Sequence, residues 1–294
     1  MEGKVLFSIV IPTYNRAEFV VKTIASLIGQ EFSNFEIIVV DDGSTDDTRA
    51  RVTSISDPRV NYFYKQNGER GAARNFGCII SKGKYINFFD SDDYAYPNHL
   101  KTAARVINDL QPPFFHLGYH VIEEKKIIKT VKPEGILNDI LIKGNLLSCN
   151  NVFLTREIAL AFPFSEDRLL SGSEDWLLWL ILSSHFEVLG FANITSVIVQ
   201  HGGRSMNLAN GDHTLRRVEL LLKELGGNDY FMSRSGNKFQ MIQGSVYVLV
   251  ALDFALEKSS AMSFKYLRRS VRLYPALLFT KRPYAVLKYL LKNI

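Results

Sequence analysis

The chain has 294 residues, 47% apolar and 22% charged, which suits a folded globular protein with room for one large α/β domain and an appendage. It lacks an uninterrupted apolar run of about 18 residues, which argues against a transmembrane helix, and its start, Met1-Glu2-Gly3-Lys4, lacks a signal-peptide layout. The net charge of +5 is concentrated: residues 263–294 hold eight Lys or Arg and no acid, so the body carries 27 basic against 30 acidic residues, and no nucleic-acid groove is expected across it.

Leu6–Ile11 reads as a buried parallel-type strand stopped at Pro12. Asn15 is placed to cap a helix from about Arg16 to Gly29, with Phe19, Val20, Ile24, Leu27 and Ile28 at helical spacing. Phe35–Val40 predicts a second strand, ending in Asp41-Asp42-Gly43-Ser44, with a polar helix following to about Ser56. Val60–Tyr64 predicts a third strand and Gly71–Ser81 a helix with Ala72, Ala73, Phe76 and Ile80 on one face. Tyr85–Phe89 predicts a fourth strand, and Pro97 opens a helix to about Leu110.

Residues 112–155 are irregular, with short strands and turns. Ser171 to Trp176 starts an apolar helix reaching about Ser184, and Phe186–Val199 reads as strand, turn, strand. His201 to Met206 forms a loop, and the chain beyond about Asp212 is helical. Four alternations of strand and helix predict a parallel sheet with right-handed crossovers, whose ligands bind outside the carboxyl ends of the strands.

The chemistry-bearing residues fall at those ends: Thr13-Tyr14-Asn15, Asp41-Asp42 and Phe88-Phe89-Asp90-Ser91-Asp92-Asp93. Crowded carboxylates repel unless a cation or hydrogen-bond donors lie between them. A hard divalent cation bridging to a substrate diphosphate uses such a cluster; an acidic turn capping the next helix would also place Asp there. The first turn, Pro12 to Arg16, lacks Gly-x-Gly-x-x-Gly, and neither a Gly-Lys-Ser/Thr phosphate loop nor a Gly-x-Ser-x-Gly elbow occurs. Hydride transfer, P-loop chemistry and serine hydrolysis lose support. Cys78 and Cys149 form no Cys-x-x-Cys pair, which predicts a reducing, cytoplasmic setting without a zinc site.

Several segments together resemble glycosyltransferase family 2. They are Ser8-Ile-Val-Ile-Pro-Thr-Tyr-Asn-Arg16, Val39-Val-Asp-Asp-Gly-Ser-Thr-Asp46, Gly71-Ala-Ala-Arg-Asn-Phe-Gly77, Asp90-Ser-Asp-Asp93, Glu174-Asp-Trp176 and His201. The resemblance covers roughly the first 205 residues. It implies the GT-A fold, a Rossmann-like and mostly parallel sheet flanked by helices, over about 1–210, followed by a helical C-terminal region, 211–294. It also implies metal-dependent inverting transfer of a sugar from a nucleotide sugar, UDP-linked by expectation, to a hydroxyl of a glycan or lipid-linked acceptor.

By the same resemblance, Pro12, Thr13, Tyr14, Asp42, Arg74, Asp90 and Ser91 bind the nucleotide sugar. Tyr14 offers a ring face and Asp42 accepts an imide N–H. Asp42 could equally cap a turn, and Arg74 could be a solvated helix arginine. Glu69 is a further pocket candidate. Asp92 and His201 are expected to hold Mn²⁺ or Mg²⁺, with Asp93 a second candidate because the extra carboxylate blurs the register. His201 could instead serve as a structural hydrogen-bonder. Asp175 would be the general base that deprotonates the acceptor hydroxyl; the other reading has Glu174 and Asp175 complementing the helix dipole. Gly202 and Gly203 would let a loop close, with Arg204 near a phosphate. The basic, aromatic-rich segment 263–294 predicts contact with an anionic membrane, peripheral on its inner face, or helices packing with solvated basic faces. A nucleotidyltransferase and a non-catalytic sugar- or lipid-binding relative remain as alternatives.

Overall fold

A computed structural model describes residues 5–201 and 210–292, so the expected loop at Gly202, Gly203 and Arg204 lies outside the described residues. In chain order the elements are β1 (Phe7–Thr13), α1 (Ala17–Ile28), β2 (Phe35–Asp41), α2 (Thr48–Thr53), β3 (Val60–Tyr64), α3 (Glu69–Ile80), β4 (Tyr85–Phe88), β5 (Tyr94–Ala95) and α4 (His99–Leu110). There follow β6 (Phe114–Glu123), β7 (Lys126–Val131), β8 (Gly135–Ile136), α5 (Asn138–Lys143), β9 (Val152–Thr155), α6 (Arg156–Ala161), α7 (Glu174–His185) and β10 (Leu189–Gln200). The chain then turns helical: α8 (Gly211–Gly226), α9 (Asp229–Ser235), α10 (Phe239–Leu256), α11 (Ser260–Leu273) and α12 (Lys281–Lys292).

The chain divides into two compact units. The first comprises the described residues through Leu137, with Leu147–Ser171 and Phe186–His201. The second takes Asn138–Leu146, Gly172–His185 and the described chain from 210 onward.

The first unit holds a ten-stranded sheet in the order β3-β2-β1-β4-β9-β6-β10-β5, with β7 on β6 and β8 on β10. Strands β3, β2, β1 and β4 run parallel, as do β6 and β10; β9 is antiparallel to both β4 and β6 and joins the two sets. Every residue of β1 and β2 is buried, as suits mostly apolar strands covered on both faces, and the polar Ser8 within β1 donates its hydroxyl to Glu36 Oε1 within β2 at 2.6 Å. The core gathers Phe7, Ile9, Ile11, Ile24, Leu27, Leu100, Phe115 and Phe153, with Phe115 stacked on Phe153 at 4.9 Å between ring centroids. A side chain at Gly77 would collide with Val10, so glycine lets α3 lie against β1.

Four local expectations change. β1 does not stop at Pro12 but pairs with β2 through Thr13. Val10 O accepts from Phe89 N on the β4 side while Thr13 O accepts from Asp42 N on the β2 side, so Pro12, in phase with Val10, turns its missing N–H toward β4, where pairing ends at Val10–Phe88. Asn15 does not cap α1. It adopts a left-handed backbone (φ 49°), and the donors at the helix start go elsewhere: Ala17 N to Asp46 Oδ2 at 3.2 Å and Arg16 N to Thr48 Oγ1 at 3.3 Å. Burial raises the Asp46 carboxyl, but donation from the Thr48 hydroxyl, Thr48 N and Ala17 N outweighs it and holds the group below its ordinary value. The irregular middle contains the ten-residue β6 and its hairpin partner β7. Phe186–Val199 is not two strands: β10 runs continuously from Leu189 and absorbs residues 192–195 as register shifts against β6.

In the second unit, α10 packs on α8, α11 and α12. Ser263 Oγ donates to Ala251 O and Ser270 Oγ to Gly244 O, both at 2.8 Å, which satisfies the hydroxyls between closely packed α10 and α11. The stretch Asp229–Leu256 has the length and mean hydropathy of a membrane crossing, yet 56% of that window is buried inside the protein, as in a core helix. Gln240, Gln243 and Asp253 interrupt it.

Candidate functional site

In the first unit the ends of β1, β2 and β4 each present polar groups. At the β1 end, Thr13 is buried and its Oγ1 has no hydrogen-bond partner among the described residues, an unfilled position in a polar setting. Tyr14 is 49% exposed and offers its ring to solvent. Asn15 then locks the turn to the β2–α2 loop: its N donates to Ser44 Oγ and its Oδ1 accepts from Thr45 N, at 2.9 and 2.8 Å.

At the β2 end the paired carboxylates divide their work. Asp41 is fully buried and accepts from Tyr62 Oη at 2.6 Å and Ser44 N at 2.8 Å. Burial pushes the Tyr62 phenol up, and the bond to Asp41 pushes it further. Asp42 Oδ1 accepts from Lys65 Nζ at 2.7 Å and Gly68 N at 2.9 Å, and its Oδ2 accepts from Asn67 Nδ2 at 3.1 Å. It is a turn anchor as well as a nucleobase candidate. Glu69 has φ 71° and pairs with Arg168 at 3.1 Å.

At the β4 end each acidic residue has a distinct fate. Asp90 Oδ1 accepts from Arg74 Nη2 at 2.9 Å. Arg74 is buried, not solvated, and its guanidinium lies 5.1 Å from the Phe164 ring centroid. Ser91 is buried. Asp93 faces inward: Oδ1 accepts from Val199 N and Oδ2 from Asn150 Nδ2, both at 2.8 Å. Asp92 turns the other way, with Oδ2 3.1 Å from His201 Nε2 and 3.6 Å from Arg16 Nη1. His201 stacks on Phe19 with 4.7 Å between centroids, and the Arg16 guanidinium sits 5.5 Å from the same ring.

Three residues without an assigned role in the sequence reading support this cluster. Asn150 is fully buried; its Oδ1 accepts from Asp90 N at 2.8 Å while its Nδ2 holds Asp93. Arg16 and Phe19 position His201 and Asp92. The polar run Ser148-Cys149-Asn150-Asn151 before an apolar strand is the signal for Asn150, since amides entering a core need specific partners.

No group of three or more His, Cys, Asp or Glu side chains suited to a metal occurs among the described residues. Asp92 and His201 do fit a two-residue site. Their ligand atoms converge, and a hard divalent cation commonly completes its shell with water and substrate phosphate oxygens. Asp93 fits less well, because it is buried and its oxygens already accept from Val199 N in β10 and from the Asn150 amide.

Asp175 lies in the second unit, at the start of α7, partly exposed. Its Oδ2 accepts from Asn145 Nδ2 at 2.9 Å and its Oδ1 from Trp176 N at 2.7 Å. Glu174 is buried and accepts from Gly172 N at 2.6 Å. Trp176 is buried, with Nε1 donating to Leu141 O at 3.0 Å, so it packs and does not react.

The family model described as glycosyl transferase family 2 matches residues 8–140. The UDP-Glc:alpha-D-GlcNAc-diphosphoundecaprenol beta-1,3-glucosyltransferase WfaP of Escherichia coli is 32% identical over 228 residues, covering 75% of this chain and 87% of that protein. An uncharacterized glycosyltransferase of Rickettsia conorii is 30% identical over 279 residues, covering 91% of this chain and 45% of that protein; the chain spans about half the length of this relative. Among solved structures, S. aureus TarS in complex with UDP-GlcNAc superposes with a TM-score of 0.65 at 20% identity, covering 92% of this chain and 91% of that one. A mannosyltransferase of Pyrobaculum calidifontis in complex with GDP-Man and Mn²⁺ superposes at 0.59 with 14% identity, covering 99% and 88%. These last two likenesses establish the fold. With the GT-A fold in its first unit and these relatives, the chain belongs to glycosyl transferase family 2.

Proposed function

We propose that the chain transfers a sugar, with inversion, from a UDP-sugar to a hydroxyl of a lipid-linked glycan, with Mn²⁺ or Mg²⁺ bound at Asp92 and His201. The observation that carries this reading is the Asp92–His201 pair at 3.1 Å beside Arg16, set at a strand end of a GT-A sheet next to the ends that carry Tyr14 and Asp42. The two carboxylates flanking Asp92 are held by other partners, Asp90 by Arg74 and Asp93 by Val199 N and the Asn150 amide. Asp92 is thus the carboxylate turned toward a cation.

Tyr14 stacks on the base, and Asp42 Oδ2, which accepts one bond from Asn67, takes the imide N–H of uracil. The Thr13 hydroxyl gains the partner it lacks among the described residues. Asp92 and His201 would hold the cation, which when bound would supply positive charge to offset that developing on the departing diphosphate. Arg16 adds a positive charge on the same side of Asp92. Asp175 accepts the acceptor hydroxyl's proton as that oxygen bonds to the anomeric carbon, and the bond from that carbon to the diphosphate oxygen breaks, so UDP leaves and the configuration inverts. The Escherichia coli relative's name specifies a UDP-linked donor and a diphosphoundecaprenol-linked acceptor, which supports the same two classes here and a reaction at a membrane surface.

Release of nucleoside diphosphate from a panel of UDP-, GDP-, CDP- and dTDP-sugars, with metal and with chelator, tests this. UDP-sugars should be turned over and chelation should stop it. Preference for GDP-sugars overturns the uracil assignment; no metal-dependent turnover of any donor overturns the transferase reading.

A further inference from the structure

The C-terminal part of the second unit carries two apolar faces where packing uses one. On α12, Pro283, Val286 and Leu290 are buried and seat the helix. Tyr284, Leu287 and Leu291, each one position further on, are exposed, at 61%, 37% and 71%. They form a second apolar stripe along the helix, at the spacing i, i+3, i+7. Lys281, Lys288 and Lys292, at i, i+7, i+11, line up along its flank. Just ahead of the helix, Phe279 is 93% exposed beside exposed Leu278, on a turn held from within by buried Leu277. Arg282 Nη1 donates to Lys143 O at 2.6 Å and pins the start of α12, so the turn is presented from a fixed base. Exposed Phe264, Lys265 and Arg268 on α11 repeat the pairing of ring and cation.

Charge decides what covers this face. Residues 263–294 contain eight Lys or Arg and no Asp or Glu. A second copy of the chain would bring like charges together across the contact. An anionic bilayer complements both features, since lysine stems can lie along the acyl boundary while their heads meet lipid phosphates. We infer that α12 and the Leu278-Phe279 turn form a membrane-docking face. On it, Phe279, Tyr284, Leu287 and Leu291 enter the headgroup boundary of an anionic bilayer, and Lys281, Lys288 and Lys292 pair with lipid phosphates. The face serves the proposed function by bringing the enzyme to a lipid-linked acceptor; only that purpose rests on the transferase reading.

Co-sedimentation with phosphatidylcholine vesicles, with and without phosphatidylglycerol, tests it on the whole chain. Wild type should bind the anionic vesicles at low salt and the neutral ones weakly. Phe279→Ser with Leu291→Ser, and separately Lys281→Gln with Lys288→Gln and Lys292→Gln, should each weaken binding about tenfold or more. Both sets replace exposed side chains, so thermal melts and turnover of UDP-sugars in solution should match wild type. Absence of UDP-sugar turnover by wild type that still binds the anionic vesicles counts against the transferase reading alone. Absence of binding, equal binding to both lipids, or variants that bind like wild type overturns the membrane face. A concentration-dependent dimer broken by the Phe279 and Leu291 changes does so too, and assigns the face to a second copy.

Discussion

Asn150 and Asp93 are joined by a 2.8 Å hydrogen bond from an amide to a carboxylate, both fully or almost fully buried, 57 residues apart in sequence. The same amide accepts from Asp90 N, so one side chain fixes both ends of the Asp90–Asp93 turn and thereby the direction of Asp92.

Asn150→Ala should therefore cost about 1–3 kcal/mol, because it leaves the Asp93 carboxylate and Asp90 N–H short of partners in a buried setting. Urea denaturation reads the loss. Stability within about 0.5 kcal/mol of wild type, the range of an inconsequential surface change, would sink this role.

Asp175→Asn should keep UDP-sugar binding and lose transfer by about two to four orders of magnitude, the usual range for a general base. Glu174→Gln should act on the fold instead, since its carboxylate accepts from Gly172 N and is buried. Transfer rates and melting temperatures of the two variants separate these roles; substantial transfer by Asp175→Asn reassigns the base.

Half of the sheet was open to sequence reading because buried parallel strands are predominantly apolar runs such as Phe7–Ile11 and Phe35–Val40, interrupted once each by Ser8 and Glu36 and each followed by a polar turn. The other half depends on pairings with no local signature. The four-residue β9 is defined by its antiparallel bonds to β4 and β6, and β10 hides a bulge that reads as a turn. At the candidate site, position at the strand ends and resemblance to the family drew attention to Tyr14, Asp42 and the acidic run. They could not divide three adjacent carboxylates, whose fates follow from Arg74, His201 and Asn150, between 16 and 109 residues away. Arg74 misleads for the same reason: its helix pattern is that of a surface residue, but Phe164 and Asp90 bury it.

Two buried histidines should make stability fall on mild acidification. His99 sits between Thr195 Oγ1 and Asn87 Oδ1, and His116 Nε2 accepts from Ser148 N. Burial pushes each down from 6.5 to about 3, so both stay neutral in the folded chain. Above about pH 6.5 neither state protonates them and the contribution is flat; between about 6.5 and 3 only the unfolded chain takes up the protons. Each histidine should lower stability by about 1.4 kcal/mol per pH unit in that window, and its own contribution levels off below it. Urea denaturation at about pH 7.5 and 5 checks the slope. His116→Gln, whose amide oxygen can still accept from Ser148 N, should roughly halve it. A wild-type stability unchanged between those values contradicts the neutral buried pair.

The metal and diphosphate reading stands or falls with calorimetry of UDP binding in the presence of Mn²⁺ to wild type, Asp92→Asn and His201→Ala. Wild type should bind UDP far more tightly with Mn²⁺ than with chelator. His201→Ala should weaken the metal-dependent affinity by about tenfold and Asp92→Asn by about a hundredfold, in the range found for groups that form and support metal sites. Melting temperatures should stay close to wild type, since both side chains lie at the surface end of the sheet and neither fills the core. Equal UDP affinity with and without metal, or an Asp92→Asn variant that binds as wild type does, contradicts the assignment.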